Sequence, residues 1–237
     1  EGARAFAYWT AFQGDLQHKS NDEKVQERAG DYMALLTPVV KAYLTHKGCE
    51  SANLGLQVHG GSGFTREWGM EQFVRDSRIT MIYEGTNGIQ ALDLVGRKLA
   101  SNGGRAVFSF FAELEDFLGT AGDDAELQPF VEGLTTVKGQ LQEGTNWLMQ
   151  NGMSDFNNAG ASSHDYLHLF GLTALCFMWA RMAKVAIEKK AEGDPFYGEK
   201  LMTGQYFLDR MLPDAAAHLA KVKTGAKSMM ALSADQF

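Results

Sequence analysis

Ile82-Tyr83-Glu84-Gly85-Thr86-Asn87-Gly88-Ile89-Gln90 is the stretch that decides how this chain folds. Two apolar residues run into Glu84-Gly85, a pair that suits a turn. Thr86 and Asn87 follow, and both are good helix N-caps because their side-chain oxygens accept from the free amides of a first turn. From there the spacing predicts a helix reaching about Ala100. A carboxylate is thereby set directly before a helix start, where the backbone carries partial positive charge. Upstream, Arg75-Asp76-Ser77-Arg78-Ile79 belongs to a short helix predicted over roughly 70–80. Residues 60–69 (Gly-Gly-Ser-Gly-Phe-Thr-Arg-Glu-Trp-Gly) read as a loop, and Gly60-Gly61 ends the helix before it.

The same punctuation organises the rest. Residues 3–19 place Phe6, Trp9, Phe12 and Leu16 on one helical face. Ser20 to Glu23 break that helix, and a second is expected over 23–36. Thr37-Pro38 predicts a new start, since Pro is favoured in the first turn, and that helix should run to His59. Ser101-Asn102-Gly103-Gly104 reads as a linker. Beyond it four helical stretches are expected, roughly 105–119, 124–151, 161–192 and 196–223, with a cap in Ala161-Ser162-Ser163-His164 and a frayed end from Thr224. Val/Ile/Thr strand runs are absent, so the expected class is all-α. Long helices with short breaks favour an antiparallel bundle for residues 105–237, set apart from residues 1–101. Trp147, Phe170, Phe177, Trp179 and Phe207 fall on helical faces as core.

Composition narrows the function. The 237 residues are 45 % hydrophobic and carry a formal charge of −7, an ordinary globular balance without the clustered cations that phosphate contacts need. Residues 105–237 hold 11 Lys and Arg against 17 Asp and Glu, which argues against a nucleic-acid partner there. Cys49 and Cys176 are two isolated thiols, pointing to a reducing, cytoplasmic setting rather than a disulfide framework. No apolar run approaches the ~20 residues of a bilayer span, so no membrane association is expected. The chain opens without Met, inside a helical pattern, as a piece of something larger would. His164 and His168 form an i,i+4 pair, but no His-Glu-x-x-His arrangement accompanies it; no metal site is expected. No Gly-x-Ser-x-Gly elbow or Walker-type loop occurs.

Three motifs recur in order: Gln57-Val58-His59-Gly60-Gly61-Ser62-Gly63-Phe64-Thr65-Arg66-Glu67, then Arg75 to Ile79, then Ile82 to Gln90. Together they resemble the final catalytic section of the acyl-CoA dehydrogenases. The likeness is strong over about residues 30–100. The full length, through Arg66-Glu67-Trp68-Gly69-Met70-Glu71-Gln72 and Gly88-Ile89-Gln90-Ala91-Leu92-Asp93-Leu94, resembles a subgroup with an additional C-terminal helical domain, which includes the 3-methylmercaptopropionyl-CoA dehydrogenases.

The resemblance implies an α,β-desaturation of an acyl-CoA thioester, with FAD as hydride acceptor and electron-transfer flavoprotein as the onward acceptor. It assigns the α-proton-abstracting base to Glu84, a carboxylate whose proton affinity should rise once flavin and acyl chain exclude water. It gives Gly85 to the substrate, its turn amides polarising the thioester carbonyl. Thr86, Asn87 and Gly88 match positions that contact FAD. Gly88 departs from the Glu or Gln more usual there, so that side-chain contact is lost. Gln57, Val58, His59, Gly60 and Gly61 match a stretch that contacts FAD across a subunit interface, implying a homodimer or higher homo-oligomer. Arg75, Asp76 and Arg78 are expected to hold helices together by ion pairs. Domains that complete such a flavin site lie outside these residues, so this piece alone is expected to be inactive. The alternative is a non-catalytic helical interaction module derived from the same family.

Overall fold

In a computed structural model, described over residues 1–152 and 154–236, the chain is all-helical, with no strand among the described residues. The helices are α1 (Gly2–Lys19), α2 (Glu23–Val58), α3 (Met70–Thr80), α4 (Asn87–Asp93), α5 (Arg105–Thr120), α6 (Gln128–Asn151), α7 (Phe156–Lys189), α8 (Pro195–Arg210) and α9 (Asp214–Thr224). Two 3-10 turns, Gly60–Phe64 and Arg66–Trp68, fill the segment read as a loop. α4 widens into a π turn over Leu94–Lys98, closed by the Leu99 amide donating to the Leu94 carbonyl at 2.9 Å.

α7 is the axis of the fold. It is apolar on nearly every face, as a helix enclosed on all sides must be. Its buried side chains include Tyr166, Phe170, Phe177 and Trp179. By length and composition alone α7 could cross a bilayer, which corrects the expectation that no segment comes near that limit. In the fold, 72 % of its apolar window is buried inside the protein. α1, α2, α4, α6, α8 and α9 all pack against it. One buried cluster therefore draws on residues from both sides of the Ser101–Gly104 turn, joining Phe6, Tyr32 and Leu36 to Phe110, Phe170 and Phe177. Arg105 adds a polar tie, its Nε and Nη2 on the Asp31 carboxylate (2.6 and 3.0 Å) and its Nη1 on Glu27. Gly171 lets α2 and α7 come close: a Cβ there would sit 2.4 Å from the Tyr43 ring, itself fully buried.

Four boundaries differ from the sequence reading. α2 runs unbroken through Thr37-Pro38. The Thr37 hydroxyl donates to the Met33 carbonyl, and Leu35, Leu36, Val39 and Tyr43 are buried around the proline. That burial outweighs the ~3 kcal/mol that an interior proline costs. α7 begins at Phe156, capped by Asp155, whose carboxylate accepts from the Asn157 amide at 2.9 Å. Ser162, expected in a cap, instead donates to the Val222 carbonyl of α9 at 2.8 Å. The expected 196–223 helix is two, split at Leu212-Pro213. Beyond Thr224 the chain is tied down rather than frayed at Ala226, whose amide donates to Asn158 Oδ1 at 3.0 Å.

Candidate active site

The turn from Met81 to Asn87 is closed by the Asn87 amide, which donates to the Met81 carbonyl at 3.0 Å. Inside it Glu84 adopts φ 53°, a left-handed conformation that costs a non-glycine residue roughly 1–2 kcal/mol. Gly85 follows at φ 82° without that cost. Two side chains clamp the strained pair. Gln90 Nε2 donates to the Glu84 carbonyl at 3.3 Å, and Lys41 Nζ, from α2, donates to the Gly85 carbonyl at 2.7 Å. The Glu84 carboxylate is exposed and has no partner among the described residues. The amides of Glu84, Gly85 and Thr86 likewise meet no protein acceptor among them. Strain held by its surroundings beside free donors is what a reaction site uses.

Asn87 is the anchor of this turn. It is buried at 6 % exposure. Its Oδ1 accepts from Lys41 Nζ at 2.8 Å, and its Nδ2 reaches the Ala42 carbonyl (3.1 Å), Thr45 Oγ1 (2.9 Å) and His46 Nδ1 (2.7 Å). Its side chain is turned into α2, away from solvent. Thr86 caps α4, accepting from the Ile89 amide at 3.4 Å, and it is exposed, as is Gly88. Partial burial pulls the Lys41 ammonium below the usual lysine value, and the nearby Glu84 charge opposes this. Lys41, Thr45 and His46 were not legible as site residues. The signal available was a lone lysine in the apolar run Pro38 to Leu44, one turn before a threonine on the same face.

Gln57 to Gly61 do not join this turn. Sixteen residues of α2 separate Lys41 from Gln57, about 24 Å at the helical rise of 1.5 Å per residue. All five residues are exposed, Val58 at 87 %, and a Cβ on Gly60 or Gly61 would meet open space. α3, between the two segments, buries no residue. Arg75 and Arg78 pair with no carboxylate among the described residues, and Asp76 only accepts from Gln72 on its own helix at 2.7 Å. The expected inter-helix ion pairs are absent because these side chains point to solvent. Phe64, Trp68, Phe73, Ile79, Ile82, Tyr83 and Ile89 are exposed along the same segment.

A second cluster lies behind the turn. His46 of α2 approaches His164 and His168 of α7, with ring centroids 5.4 and 4.9 Å away, and His218 of α9 stacks 5.2 Å from His168. His218 Nδ1 pairs with Asp165 Oδ1 at 2.7 Å. Burial, helped by His164, His46, His218 and Lys47, pushes His168 down to about 3. An unfolded chain would protonate His168 near 6.5, so it binds more protons than the folded one between these values. Stability is then full above about pH 6.5 and falls with pH toward 3. Thermal midpoints in chelator-containing buffer are expected to drop on acidification from pH 7 to 5, and His168→Gln to flatten that slope.

Two families match the chain by sequence: one described as "Acyl-CoA dehydrogenase, C-terminal domain" over residues 21–99, and one as "Acetyl-CoA dehydrogenase C-terminal like" over residues 110–233. The 3-methylmercaptopropionyl-CoA dehydrogenase of Ruegeria pomeroyi is 34 % identical across 98 % of this chain and 40 % of that protein. A Bacillus anthracis acyl-CoA dehydrogenase, solved in complex with FAD, superposes with a TM-score of 0.70 at 19 % identity, over 99 % of this chain and 40 % of its own. Caenorhabditis elegans ACDH-11, solved with C11-CoA, gives 0.64 at 17 % identity, over 95 % of this chain and 34 % of its own. The chain thus spans about 40 % of the curated relative's length. The helical fold, the order of its motifs and these matches agree: the chain belongs to the acyl-CoA dehydrogenase family, as the helical C-terminal portion.

Proposed function

We propose that this chain supplies the catalytic base and part of the flavin surface of an enzyme that desaturates acyl-CoA thioesters between the α and β carbons. The observation that carries this reading is Glu84, held at φ 53° in an exposed turn whose carbonyls are clamped by Lys41 and Gln90. A strained carboxylate without a partner is poorly explained by capping alone, which Thr86 already performs. In this reading the Glu84 carboxylate removes the α-proton of the thioester. The free amides at Glu84 and Gly85 receive the carbonyl oxygen as negative charge develops on it. Bound FAD supplies the hydride acceptor. The residues suit it: open glycine backbone at Gly60 and Gly61, an exposed Gly88, and exposed apolar side chains that a ring system and an acyl chain would cover. Thr86 and Gly88 would line the flavin of their own copy. Asn87 holds the turn from behind. Gln57 to Gly61, set about 24 Å along α2, would serve the flavin of a second copy, which makes the working enzyme a homo-oligomer. Electron-transfer flavoprotein would take the electrons, in the cytoplasm.

The test is a panel of saturated acyl-CoAs on the full-length protein, read as acceptor-dye reduction. Reduction with at least one thioester and none with the free acid is expected. The 237-residue chain alone is expected to retain no FAD and to reduce no dye. A full-length protein that binds flavin yet oxidises no acyl-CoA would favour a non-catalytic helical module.

A further inference from the structure

We infer that His46, His164 and His168 form a site for a divalent transition metal, with zinc as the preferred ion. Each offers one ring nitrogen, and the three lie within 4.8 Å of one another. At a zinc–nitrogen distance of 2.0–2.1 Å, tetrahedral ligands sit roughly 3.4 Å apart. Closing the site therefore asks each pair to approach by at most about 1.4 Å, within reach of small side-chain rotations. His164 and His168 are one turn apart on α7 and project from the same face. His46 arrives from α2, far away in sequence, which is why the pair looks incomplete when read locally.

His168 Nε2 sets this cluster apart from a stack of packed imidazoles. His168 is 8 % exposed, and this nitrogen is buried with no hydrogen-bond partner among the described residues. A buried ring nitrogen normally has a partner, and a metal would provide one. The surroundings supply neutral rings, the form that ligates: burial depresses protonation of His46, His164 and His168 alike. His46 Nδ1 lies 3.1 Å from the Ala42 carbonyl and 2.7 Å from Asn87 Nδ2. Ligation through Nε2 needs the proton on Nδ1, donated to the Ala42 carbonyl; the Asn87 amide would then draw back from Nδ1 and keep the Ala42 carbonyl and Thr45 Oγ1 as its acceptors. Imidazoles favour zinc, copper, nickel or iron over magnesium and calcium. His164 is exposed, so solvent can complete the coordination shell.

Such an ion would clip α2 to α7 directly behind Asn87, bracing the Glu84 turn from inside the protein. The inference does not rest on the flavoenzyme reading and is tested without FAD or substrate. The 237-residue chain is stripped with a chelator, then titrated with Zn²⁺ by calorimetry and with Co²⁺ by visible absorption. One site per chain is expected, with the intense visible bands of low-coordinate Co²⁺. His164→Ala, at an exposed position, and His46→Gln should each weaken binding by at least ~10-fold, with helical content unchanged by circular dichroism. His18→Ala, on the exposed end of α1, should bind as the parent does. Absence of saturable binding at one equivalent overturns the assignment. So does binding that survives in the His46→Gln/His164→Ala double variant.

Discussion

Glu84→Gln, made in the flavin-loaded full-length enzyme, is expected to lower kcat for acyl-CoA oxidation by roughly 10²- to 10⁴-fold, the usual contribution of a positioned general base. The amide keeps the shape of the side chain and loses only the ability to take a proton. Flavin content and thermal stability should stay near wild type, because the carboxylate has no partner among the described residues to lose. Glu84→Gly separates strain from chemistry. Glycine adopts φ 53° freely, so this variant should be more stable by about 1 kcal/mol in urea unfolding and equally inactive. Greater stability without turnover would show that the strain serves the reaction. Near-normal turnover in Glu84→Gln would place the base elsewhere.

Asn87→Leu is expected to have the largest effect on stability. Leucine fills a similar volume but removes every hydrogen bond that the Asn87 side chain makes to α2, leaving only Lys41 on the Gly85 carbonyl. It deprives the Lys41 ammonium of the Oδ1 acceptor at 2.8 Å and takes one donor each from the Ala42 carbonyl and the Thr45 hydroxyl. Groups left unpaired in a buried setting cost about 1–3 kcal/mol each. Some of this is offset by water reaching half-buried Lys41, so a net loss of about 3 kcal/mol is expected. For a chain of this size that lowers Tm by roughly 6–12 °C in calorimetry. Thr86→Ala, which removes only a long cap bond of 3.4 Å, should cost about 1 kcal/mol or less. Equal effects from the two variants would show that Asn87 is a cap and not an anchor.

The turn around Glu84 was legible because its punctuation is local: Gly85 supplies the turn and Thr86 the cap, whatever packs nearby. The helical class was legible for the same reason, through the breaks at Gly60-Gly61 and Ser101 to Gly104. What depended on a partner helix was hidden. Pro38 reads as a helix start until Leu35, Leu36 and Tyr43 are seen buried around it. Asn87 reads as a helix cap until α2 is placed behind it. His46 gains meaning only when α7 brings His164 and His168 beside it. The split at Pro213 was a different case, since a proline followed by Asp214 is itself a local signal for ending one helix and starting another. The left-handed Glu84 had no local signal at all: nothing in its residue type favours positive φ, and the clamp comes from Lys41 and Gln90.

Exchange of the substrate α-proton with solvent measures the step assigned to Glu84 without requiring hydride transfer to be completed. Full-length, flavin-loaded enzyme is incubated in D₂O with an acyl-CoA analogue that cannot be desaturated, and deuterium at the α carbon is followed by mass spectrometry. Wild-type enzyme is expected to incorporate deuterium at that carbon, and Glu84→Gln, with its flavin retained, is expected to incorporate none above the uncatalysed rate. Incorporation by Glu84→Gln at the wild-type rate would contradict the assignment of Glu84 as the base.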